Sequence, residues 1–147
     1  MANPRPPTDS KEEKIRLLLV TFDDNLYFSI RMAAVNCGWE LWKASNVDQG
    51  LRLMDESRAQ LVIVDWNPDQ GDDWQAAVDR FVVREDHPCI LLASKVIDDY
   101  LLRELVRHGG FDAIARSSTE EQFIRSIRFA HFALRHSNPP GGRPFLR

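Results

Sequence analysis

The sequence predicts an α/β domain, a doubly wound parallel sheet built as (βα)5 and covered by helices on both faces. Three observations carry that prediction. Short continuous apolar runs of strand length, such as IRLLLVTF, QLVIVD and CILLAS, alternate with segments whose apolar residues recur at helical spacing. These runs lack the apolar–polar alternation of a half-exposed strand, so both faces of the sheet must be covered. The chain has 147 residues, enough for one domain of this kind with its own core.

The elements follow in order. Met1 to about Lys14 is polar and rich in proline, and reads as a flexible lead-in before a domain spanning 15–136. IRLLLVTF is the first strand. Leu26, Ile30, Ala33, Ala34 and Cys37 then share one helical face, and Gly38 closes that helix. WELWKAS is a second strand by alternation, and VDQGLRLMDES a second helix. QLVIVD is a third, fully buried strand. Trp74, Val78, Phe81 and Val82 mark a third helix. CILLAS is the fourth strand, and Ile97, Leu101 and Leu105 mark a helix ending at Gly109-Gly110. FDAIA is a short fifth strand. Ser118-Thr119-Glu120-Glu121 reads as a capping box opening a last helix to about His136. The remainder, 137–147, has the breaker residues of a flexible tail.

Right-handed crossovers leave few ways to order five parallel strands, and the flavodoxin-like order 2-1-3-4-5 is the common one. In such open sheets, function sits beyond the carboxyl ends of the strands. Asp65 closes the driest strand at that rim. A buried carboxylate costs several kcal/mol unless it is paired or used. Taken by itself, a strand-end Asp can simply cap the next turn, helped by Asn67 and Pro68.

Composition narrows the function classes. The chain is 44% apolar and 28% charged, with a net charge of −3, so no basic field points to nucleic acid. No apolar run approaches membrane-spanning length. The first residues lack a hydrophobic segment, so no signal peptide is expected and the cytoplasm is the expected location. Cys37 and Cys89 sit in apolar patterns and read as small buried hydrophobes. His87, His108, His131 and His136 are scattered and read as solvated helix ends. Arg125, Arg128 and Arg135 form a basic stripe that reads as a solvated face. LLVTFDDN has no glycine, which argues against a phosphate-cradling loop after the first strand.

QLVIVDWNPD followed by a helix, within a (βα)5 frame, resembles the CheY-like receiver domain of bacterial response regulators. The resemblance runs from about Ile15 to His136 and implies the flavodoxin/CheY-like fold. It also implies that Asp65 stands where the family accepts a phosphoryl group from a histidine kinase. A Ser or Thr at the end of the fourth strand and a Lys at the end of the fifth complete the family's switch; here their separation links Ser94 to Arg116. Arg116 keeps the charge of the usual Lys but is planar and forked. Ser117 stands in place of the usual Pro. Ala113 stands where the family carries a swinging aromatic residue.

The family's metal pocket is reduced. Its first strand ends in two adjacent acids that hold Mg²⁺. Sliding Asp23-Asp24 of VTFDDN into that place turns the following helix by about 200° and exposes its core face. The ungapped register puts Thr21 and Phe22 at the acid positions, with the Phe22 ring filling the second. Asp65 and the backbone carbonyl of Asn67 are the remaining ligands, with Asp23 within reach from the following loop. No cofactor is therefore expected, and any Mg²⁺ binding should be weak. The resemblance then implies a degenerate, or pseudo-, receiver that acts through protein contacts, is not an enzyme, and phosphorylates weakly or not at all. Asp65 is expected to bridge to Arg116 and to bond Ser94. An active phosphoacceptor is the main alternative, and a small-ligand binder at the strand carboxyl ends a weaker one.

Two helices carry apolar residues opposite their core faces. Phe28, Met32 and Val35 do so on the first, Phe129 and Phe132 on the last. The fold makes these helices neighbours, so the residues are candidates for a partner or homodimer surface. A fold-back of Phe145 and Leu146, or broad packing of the two helices on each other, is the competing cover. Partners are expected to be proteins, a histidine kinase or a downstream signalling protein, with neither nucleic acid nor membrane.

Overall fold

The structure is a computed structural model that describes residues 14–67 and 73–136. Five strands and five helices alternate: β1 Arg16–Val20, α1 Asp24–Cys37, β2 Glu40–Ala44, α2 Val47–Ser57, β3 Leu61–Asp65, α3 Trp74–Val82, β4 Cys89–Ser94, α4 Asp99–Arg107, β5 Asp112–Ala115 and α5 Glu120–His136. The strands form one parallel sheet in the order β2-β1-β3-β4-β5, as expected. The tails expected to be flexible, and Pro68 to Asp72, lie outside the described residues.

Strand periodicity explains why the central strands are apolar throughout. Leu18 and Val20 of β1, Val62 and Val64 of β3, and Ile90 and Leu92 of β4 join one core with Met54, Trp74, Phe81 and Leu105. Their neighbours Leu17, Leu19, Leu61, Ile63 and Leu91 face the other way, onto Leu26, Ile30, Phe123 and Ile127. Successive side chains point to opposite faces, so each strand feeds two cores. Burying each of these Leu, Ile or Val side chains contributes about 1.5–3 kcal/mol. The helices of the second core, α1 and α5, lie on one side of the sheet; α2, α3 and α4 lie on the other.

Local signals set the helix ends. Gly38 adopts φ 72°, a left-handed conformation, and its N–H closes α1 on the carbonyls of Ala34 and Val35. Leu26, Ile30, Ala33 and Ala34 are buried on the core face of α1, as their spacing predicts. Gly110 lets the chain pass over Leu105; a Cβ there would stand 2.3 Å from Leu105 Cδ1.

Several expectations are corrected. β1 stops at Val20 rather than running to Phe22, because Asp23 already caps α1. The capping box of α5 is displaced by one residue. Gln122 N–H donates to Thr119 Oγ1 (3.1 Å) and Thr119 N–H donates to Gln122 Oε1 (2.8 Å), so Gln122 takes the place read for Glu121. Ile97 precedes α4 and is exposed; Leu101 and Leu105 anchor that helix. Cys37 and Cys89 are half-buried rather than fully buried. His131 is buried on the core side of α5, not solvated, while His108 contacts Asp79 and His136 caps the carbonyl of Phe132.

Candidate functional site

Four side chains converge at the carboxyl end of the sheet. Asp65 ends β3 with its side chain only 4% exposed. The strand-to-strand pairing places Asp65 beside Ala93 and Ser94 beside Ala115. The backbone N–H of Arg116, just past β5, donates to Ser94 O at 3.0 Å, which fixes where its side chain starts. From there the guanidinium returns across β4 to β3. Nε donates to Asp65 Oδ1 at 2.7 Å and Nη2 to Asp65 Oδ2 at 3.2 Å. This is the forked, two-point geometry that a Lys cannot supply.

The same Nη2 also donates to Asp23 Oδ2 at 2.6 Å. Asp23 therefore has two tasks. Its Oδ1 accepts from the N–H groups of Asn25 and Leu26 and caps α1, while Oδ2 holds Arg116. Thr21 completes the cluster. Its hydroxyl donates to Asp65 Oδ2 at 2.6 Å and accepts from Asp23 N–H at 2.8 Å. Both oxygens of Asp65 thus have partners, as a carboxylate removed from water requires. Burial alone would lower the pKa of Arg116. The hydrogen bond and charge of Asp65, then those of Asp23, outweigh burial and hold it above the ordinary arginine value.

Some expected features take other positions. The bridge from Asp65 to Arg116 is present. The bond from Ser94 to Asp65 is not: the buried Ser94 hydroxyl donates to Val96 O at 2.8 Å instead. An acceptor two residues along its own chain is nearer than one across the sheet. Phe22 does not fill the place of the second acid. It is 65% exposed and lines the cleft beside Asp65, and the space between Asp23 and Asp65 is spanned by the Arg116 guanidinium.

A Mg²⁺ site of the kind the resemblance implies does not fit this arrangement. A fixed positive charge between the two carboxylates repels a dication and occupies the oxygens it would need. Among the described residues, no three His, Cys, Asp or Glu side chains come together as a metal cluster. Asp65 and Asn67 instead line a cleft of about 270 Å³ with Phe22, Trp66, Trp74 and Arg80. Arg80 is paired with Asp48 at 2.9 Å, and Trp66 and Trp74 lie 6.3 Å apart.

The residues proposed for an interface are placed as follows. Phe28, Val35, Phe129 and Phe132 are each more than half exposed, and Met32 is partly covered. Among the described residues no helix is long and apolar enough to cross a membrane. Sequence reasoning treated Thr21 only as a missing acid and left Asp23 outside the register. The available signal was a Thr just past the strand end, two residues before a helix-capping Asp.

Comparison with known proteins bears on the fold. No family model matches the chain, and no curated protein matches it. Solved structures do. The chemotaxis protein CheY4 of Vibrio cholerae superposes with a TM-score of 0.72 at 13% identity, over 80% of this chain and 99% of that one. HP1043 of H. pylori, an orphan response regulator, gives 0.69 at 19% identity, over 79% and 95%. NtrX from Brucella abortus gives 0.74 at 18% identity, over 84% of this chain and 28% of that one. The chain has the receiver fold of CheY-like response regulators. At these identities the likeness is one of fold, and fold alone does not fix function.

Proposed function

We propose that this receiver is a signalling module of the two-component type that acts through protein–protein contacts, with phosphorylation at Asp65 weak or absent. One observation carries the reading: the Arg116 guanidinium is forked onto Asp65 and bound to Asp23, so the acceptor carboxylate is already neutralised from within the chain. An incoming phosphoryl group needs a free carboxylate oxygen as nucleophile and added positive charge on its own oxygens. Here the nearest fixed cation is engaged and the metal ligands are occupied. Loss of electrostatic stabilisation of this kind typically costs orders of magnitude in rate. Ser94, turned to Val96, is not poised to sense a phosphoryl group.

A second reading, an active phosphoacceptor served by a histidine kinase, has one observation in its favour. Asp23 and Asp65 lie on the same guanidinium, so swinging Arg116 outward would leave two carboxylates facing one space. Acetyl phosphate with Mg²⁺, followed by intact-mass measurement, separates the two. The expected result is no stable phosphate adduct on the wild type. A stoichiometric adduct that disappears in Asp65→Asn would overturn the proposal. Arg116→Gln is expected to gain quenching of Trp66 fluorescence by millimolar Mg²⁺ that the wild type lacks.

A further inference from the structure

We propose that α5 pairs antiparallel with α5 of a second copy of this chain, across a two-fold symmetric interface. The inference goes beyond the reading of Asp65 and does not depend on it. The outward ridge of α5 runs Glu121, Arg125, Phe129, Phe132, His136, with Arg135 beside its end. All of these are exposed, and they lie opposite the buried Phe123, Ile127, Ala130 and His131. Steps of three and four residues keep the ridge on one side of the helix. Phe129 and Phe132 are 58% and 59% exposed, an unusual state for two neighbouring aromatic rings on a small domain. Intramolecular contacts cover them only in part: Phe129 lies 5.5 Å from Phe111, and Phe132 stacks on His136 at 4.1 Å.

The order of charges along the ridge identifies the occupant. The first turn is acidic (Glu120, Glu121) and the last turn is basic (Arg135, His136). Turned end for end about Phe129, the ridge complements itself. Glu121 meets Arg135 and His136 of the partner copy. Arg125 meets Phe132 of the partner copy as a cation on a ring. The two Phe129 rings meet at the axis. A two-fold contact requires such self-complementarity, because each pairing occurs twice. Among the described residues, neither Glu121, Arg125 nor Arg135 takes part in an ion pair within the chain, so these charges remain available.

Other occupants fit less well. The segment following His136, SNPPGGRPFLR, has Phe145 and Leu146 to set against the rings, but it brings Arg143 and Arg147 and no acidic side chain to pair with Arg125 or Arg135. The outer residues of α1, Phe28 and Val35, flank Arg31, but α1 has no base in its last turn and lacks the acid-to-base order.

Sedimentation equilibrium on the full chain tests this. The expected result is a reversible monomer–dimer system built from the 17.0 kDa chain. Phe129→Glu should raise the dissociation constant at least about thirtyfold, as for a central anchor. Glu121→Arg alone, and Arg135→Glu with His136→Glu, should each raise it roughly tenfold, since symmetry spoils both ends at once. Combining all three reversals should restore the wild-type constant. Circular dichroism should show every variant folded, and Asp65→Asn should leave association unchanged. A wild type monomeric at roughly 1 mM overturns the proposal. So does a dimer indifferent to Phe129→Glu, or a triple reversal no tighter than its parts. Removal of residues 138–147 should leave the dimer intact; loss of association in that truncation would show that the contact is made by the tail and would overturn the proposal as well.

Discussion

At the carboxyl end of the sheet, Arg116 is enclosed by Asp23 and Asp65. On the outside of α5, Arg125 and Glu121 stand in solvent beside two exposed phenylalanines. The first region satisfies its charges within the chain, over 93 residues of sequence between Asp23 and Arg116. The second presents charge and apolar area to the outside. The paired charges lie at the carboxyl end of the sheet, and the exposed apolar and charged groups lie on the outer face of a helix. On the proposed reading, communication would run through the helical surface rather than through the strand-end carboxylate.

The largest effect should come from opening the enclosed region. Arg116→Ala leaves Asp65 nearly buried with Thr21 as its remaining partner from the cluster, and should lower unfolding free energy by about 2–4 kcal/mol in urea titration. The partial exposure of Arg116 and Asp23 keeps the figure below that of a fully buried pair. A loss under about 0.5 kcal/mol would mean that the cluster does not hold the strand ends together and would remove the contrast. Thr21→Val is a smaller probe of the same region. It keeps the shape but loses the hydroxyl's bonds to Asp65 and from Asp23 N–H, and should cost about 1–2 kcal/mol.

The smallest expected effect concerns pH. Burial raises the pKa of Asp112 above 3.8, opposed by the hydrogen bond from Ala113 N–H. A carboxyl whose folded-state pKa is raised binds its proton more tightly in the folded state. Its stabilising contribution is complete below the ordinary value and is lost as pH rises through the raised one. Asp112→Asn should therefore raise Tm slightly at neutral pH, by about 3 °C or less. The difference should close as pH falls below 3.8. A difference that persists in acid would tie the effect to packing instead of charge.

Much of this was legible from residue patterns. Each strand and helix was visible because strand and helix periods impose different apolar spacings, and the doubly covered sheet makes its strands continuously apolar. The ends were less so. Thr119 and Gln122, not Ser118 and Glu121, close the cap of α5, because both pairs satisfy the same spacing and only the chain's entry angle chooses between them. At the site, the bridge between Asp65 and Arg116 followed from placing both at the carboxyl ends of strands in one sheet, with β4 between them. The place of Phe22 did not. A register assigns a residue to a position along the chain, whereas the side chain's direction depends on where the helix starts. Ser94 turned to Val96 for a similar reason, since a hydroxyl takes the nearest acceptor that geometry offers.

The sequence alone determined the alternation of elements, the two-sided core, the acid at the end of the third strand and the charge order along the last helix. Each is a local or periodic property, written in residues close together. Tertiary structure decided that Asp23, Asp65, Thr21 and Arg116 share one cluster, and that a guanidinium bridges the two carboxylates. Those contacts join three strand ends that sequence separates widely, and their geometry depends on strand order, register and side-chain direction together.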